Sequence, residues 1–115
     1  MSHVTNVIIT LECLTEDQED EVLDHVNRWA EKDDTVSKGS AFTKIPGDCI
    51  GGTKAFEATV FMGAFNYLDL DALLAHLVNH VPWRKVHIDP GRDVSVFVKG
   101  EDDCTFSERF QGYER

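Results

Sequence analysis

The chain has 115 residues, 42% of them hydrophobic and 28% charged, enough for one conventional core. Eleven Lys and Arg against 21 Asp and Glu give a net charge of −10. That balance argues against direct binding to nucleic acid or to an anionic membrane, and the apolar content argues against a disordered acidic chain.

Val4 to Leu14 alternates, with Val7, Ile9, Leu11 and Cys13 on one side and Asn6, Ile8, Thr10 and Glu12 on the other. This predicts a half-buried strand. Thr15-x-x-Gln18 is a capping box that opens a helix, and Val22, Leu23, Val26, Trp29 and Ala30 form its buried stripe. Asp33-Asp34 marks its expected end. A weak second strand is placed between Thr35 and Ile45, followed by turn signals at Pro46-Gly47-Asp48 and Gly51-Gly52. Thr53 to Phe65 is the longest strand candidate. Phe56, Ala58, Val60 and Met62 are assigned to its inner face, Glu57, Thr59 and Phe61 to its outer face. Asp69 caps a second helix with the stripe Leu70, Leu73, Leu74, Leu77 and Val81, which Pro82 ends. Val86 to Ile88 reads as a short extended piece, and Val94 to Lys99 as a final strand. The acidic tail from residue 101, with Phe106, Phe110 and Tyr113, is a candidate edge strand or a segment packed on the sheet.

The order strand, helix, strand, strand, helix, strand predicts a single α+β domain over residues 1–100. The expected architecture is a ferredoxin-like βαββαβ sandwich, an antiparallel sheet with both helices on one face. The last strand should then lie beside the first, and the first beside the third. On the uncovered face Ile8, Phe61 and Phe97 would form an apolar stripe across three neighbouring strands, a candidate interface for self-association.

The charge is uneven. Residues 12–34 hold ten acids and two bases, residues 35–100 six acids and seven bases, and the tail five acids and two bases. Asp17, Asp20, Asp24 and Glu31 lie opposite the apolar stripe of the first helix. They read as a solvated helix face, with a surface for a basic protein partner as the sharper alternative. Lys54, Trp83, Arg84 and His87 are a candidate anion site at one end of the sheet. His76 and His80 stand four apart on the second helix. No third ligand or H-E-x-x-H pattern accompanies them, so no metal and no cofactor are assigned.

Three widely spaced cysteines (Cys13, Cys49, Cys104) suit free thiols in a reducing compartment. With no basic, apolar leader and no long apolar run, the expectation is a soluble cytoplasmic protein. No catalytic set can be assembled from spacing, so a non-enzymatic role is preferred. The leading expectation is a small binding protein that forms homo-oligomers through the open sheet face. The alternatives are an acidic inhibitor of phage or mobile-element type, and a small enzyme or ligand-binding protein with a pocket at a subunit interface.

Overall fold

The computed structural model describes residues 4–12, 14–31, 41–46, 49–54, 56–81 and 94–111. Its elements run β1 (Val4–Glu12), α1 (Glu16–Asn27), a short 3-10 helix (Arg28–Glu31), β2 (Thr43–Lys44), β3 (Ala58–Asn66), α2 (Leu70–Asn79), β4 (Ser95–Gly100) and β5 (Ser107–Gln111). The strands form one open antiparallel sheet in the order β2-β3-β1-β4-β5. β4 pairs with β1, β1 with β3, and the tail supplies β5 as an edge strand. The expected extended piece at Val86 to Ile88 falls outside the described residues, as does Cys13.

Local chemistry sets the helix starts. Thr15 accepts the Gln18 amide at 3.3 Å while the Gln18 side chain accepts the Thr15 amide at 3.0 Å, so two orphan donors are satisfied together. Asp69 accepts the Ala72 amide at 3.1 Å and opens α2. At the other end of α1 the Asn27 side chain takes both backbone groups of Phe42, donating to its carbonyl and accepting its amide, each at 3.0 Å. This double bond fastens the chain that leads into β2 to the end of the helix.

The core lies on one face of the sheet. Ile9 stands opposite both Phe61 and Val96, and Val7 opposite Val98, so the period of two aligns across three strands. Val22 and Val26 of α1, Trp29, and Leu73 and Leu77 of α2 join these residues in a single buried cluster. His76 is also buried, and its Nε2 lies 2.9 Å from the His25 carbonyl. A carbonyl can only accept, so Nε2 carries the proton and ties α2 to α1. Both helices therefore share that face.

The phase of β3 differs from the sequence expectation. Thr59, Phe61 and Phe65 point into the core, whereas Met62 and Phe56 are exposed, Phe56 lying before the strand begins. The misleading features are Thr59 and Gly63, which break up the inward apolar pattern. Thr59 is tolerated inside because its hydroxyl donates to Glu19 Oε2 at 2.8 Å and accepts the Leu14 amide at 3.3 Å. Gly63 is required by close approach. A Cβ there would stand 2.5 Å from the Phe65 ring and 3.2 Å from Phe42. The room it leaves lets Phe65 meet Trp29 and Phe42 edge-on, with ring centroids 5.4 and 5.1 Å apart.

Candidate functional site

The uncovered face is built from the other parity of the same strands. Ile8 is registered opposite Phe97 on β4 and opposite Met62 on β3, and Met62 lies beside Thr43 of β2. Three large apolar side chains thus form a row across three adjacent strands, with Met62 42% exposed. The sequence expectation of Phe61 in this row is corrected: Phe61 is fully buried and faces the helices. Met62 takes its place. The signal that could have found it is the inward set Phe61, Gly63 and Phe65, in which two aromatics four residues apart outweigh the intervening glycine. Among the described side chains of β1, β3 and β4 on this face, Lys99 is the one charged group.

The acidic surface occupies the helical layer. Asp17, Asp20 and Asp24 are exposed, whereas the side chain of Glu31 lies outside the described residues. Two of these acids are partly answered within the chain. Asp24 pairs with Arg28 one turn on at 3.0 Å, and Asp20 with Lys44 of β2 at 2.8 Å. The Lys44 ammonium is held above its ordinary pKa, chiefly by the hydrogen bond to Asp20. Burial opposes this, and the nearby charges of Asp20, Glu16 and Glu19 reinforce it. The first helix therefore projects a negative field onto the β2 edge of the sheet.

A cleft of about 590 Å3 opens between the first turn of α1 and the connection from β2 to β3. Its apolar lining comes from Ile45, Pro46, Ile50, Phe56 and Ala58; its polar lining comes from Glu16, Glu19, Thr59, Lys44 and Lys54. Lys54 thus stands with carboxylates. Trp83, Arg84 and His87, the other members of the expected anion site, lie outside the described residues.

His76 and His80 have ring centroids 5.7 Å apart, but His76 Nε2 is committed to the His25 carbonyl. Asp69 serves as the α2 cap. Among the described residues no group of three or more His, Cys, Asp and Glu side chains converges. Cys49 and Cys104 are free and exposed.

These features define an α+β protein with an open antiparallel sheet, a polarised charge distribution and, among the described residues, an amphipathic cleft. No protein-family model matches the chain, and comparison with curated proteins and with solved structures gives no match either. No helix among the described residues is long and apolar enough to cross a membrane.

Proposed function

We propose that the protein is a small binding or interaction protein that self-associates through the open face of its sheet, on a ferredoxin-like βαββαβ frame extended by β5. The fold assignment is supported by the run β2-β3-β1-β4 and by helices that follow β1 and β3. The observation that carries self-association is the row Phe97–Ile8–Met62, apolar across β4, β1 and β3 and bordered by Glu108 of β5 beside Phe97, in a chain of net charge −10.

Two copies can meet face to face there while their acidic helices point outward, so the like charges of the helices stay far apart and Glu108 lies at the rim. With strands about 4.8 Å apart and about 3.3 Å per residue, the five strands present roughly 500 Å2 per copy. Two such faces reach the roughly 1,000 Å2 that a specific interface needs. A two-fold axis near Ile8 would bring Phe97 of one copy towards Met62 of the other.

Light scattering tests this. The expected outcome is a dimer for the unmodified chain and a monomer for Met62→Asp and Phe97→Asp, with circular dichroism unchanged. Met62 is exposed, so Met62→Asp leaves the core intact. A monomeric unmodified chain at about 100 μM, well above the Kd range of stable dimers, would reject the proposal. So would a folded Met62→Asp variant that remains dimeric.

A further inference from the structure

The cleft beside α1 has the size of an organic-ligand site, within the usual range of about 300–1,000 Å3. Its chemistry is two-sided. Phe56 is 51% exposed, a large aromatic side chain left in water beside Ile45 and Ile50. Across from these stand the carboxylates of Glu16 and Glu19. Glu19 is anchored, because Thr59, only 2% exposed, donates its hydroxyl proton to Oε2 at 2.8 Å. A carboxylate offers about four acceptor sites, so capacity remains for a ligand donor.

The sign of the field selects the occupant. Lys44 is already bound to Asp20 at 2.8 Å, so its ammonium is not free for an anionic ligand. Of the described charged side chains that line the cleft, Glu16 and Glu19 face Lys44 and Lys54, and with Lys44 taken up by Asp20 from outside the lining, two carboxylates stand against Lys54 alone. The helix N-terminus does not reverse this, since Asp17 and the Thr15–Gln18 capping box answer it without drawing on Glu16 and Glu19.

We infer that the cleft binds an organic cation, a primary amine or guanidinium carried on an apolar body, with the charge against Glu16 and Glu19 and the body against Phe56. The ammonium would gain charge-assisted hydrogen bonds from the carboxylates and attraction from the Phe56 ring face. This site lies around the first turn of α1 and shares only Ala58 with the open sheet face, so its test does not depend on self-association.

The test is an amide chemical-shift titration of the full chain with phenethylamine, its anionic counterpart phenylacetate and neutral 2-phenylethanol. Phenethylamine is expected to shift the amides of Glu19, Ile50 and Phe56 and to bind more weakly as salt is raised. Phe56→Ala and Glu16→Gln, both at exposed positions, should each weaken binding about fivefold. Phenylacetate or 2-phenylethanol binding as tightly as the amine would overturn the inference. No localised shift at the cleft would do the same, as would full affinity in both variants.

Discussion

The orientation of β3 can be tested by comparing truncations at neighbouring positions. Phe61 is fully buried against the helices, and Met62 is 42% exposed on the opposite face. Phe61→Ala removes a whole ring from a close-packed core, which costs about 3–5 kcal/mol. Met62→Ala removes a side chain already partly in water, which costs about 1 kcal/mol or less. With a urea slope of roughly 1.5–2 kcal/mol/M for a chain of this size, the midpoint falls by about 1.5–3 M in the first variant. In the second it falls by about 0.6 M or less. Urea unfolding monitored by circular dichroism reads both. Repeating it at two protein concentrations separates any contribution of Met62 to association. If Phe61→Ala does not fold, Phe61→Leu keeps the comparison, with an expected loss of about 1–2 kcal/mol. A Met62 truncation that costs as much as the Phe61 truncation would refute the inward assignment of Phe61, and with it the apolar row proposed for the open face.

Three further outcomes follow from the same geometry. Asn27→Ala removes both bonds to the Phe42 backbone and should cost about 2 kcal/mol by denaturant titration; a loss under about 0.5 kcal/mol would show that the clamp does not hold. Gly63→Ala should destabilise by about 1–3 kcal/mol, and most of that penalty should vanish in a Phe65→Ala background, because the clash is with the Phe65 ring. A penalty independent of Phe65 would point to the backbone instead. The Lys44–Asp20 pair should stabilise the fold at neutral pH. Because the folded-state pKa of Lys44 is raised, its contribution is full below the unfolded pKa and disappears as pH rises through the folded value. The stability difference between the parent and Lys44→Met should therefore shrink in strong alkali and in high salt, as thermal melts across pH and salt would register. A difference that persists in strong alkali would assign it to packing of the lysine stem.

Residues that act locally were legible from the chain. The Thr15–Gln18 box, the Asp69 cap, the α1 and α2 stripes and the alternation of β1 all follow from interactions spanning a few residues. The order of the described elements follows from them, although α1 ends at Asn27 short of Asp33-Asp34 and β3 begins at Ala58, not Thr53; Ile8 and Phe97 share the face expected for them. The candidate site was legible only in part. Met62 and Phe61 stand on the faces opposite to those expected, and the cleft is not legible in the sequence, because it draws on the first turn of α1 and a connection between Lys44 and Thr59, far along the chain.

The sequence by itself determined the element order, the polarity of the charge and the faces of β1, because periodicity and capping report short-range chemistry. The tertiary structure decided the face of β3. A strand with apolar residues at both parities has two available orientations, and local pattern cannot choose between them. Pairing of Ile9 with Phe61, the Thr59–Glu19 bond and the space above Gly63 make that choice. The first two are contacts between segments far apart in the chain, the third seats Phe65 against Phe42 and Trp29 from earlier in the chain, and the same choice leaves Met62 in the exposed row and Glu19 fixed at the cleft.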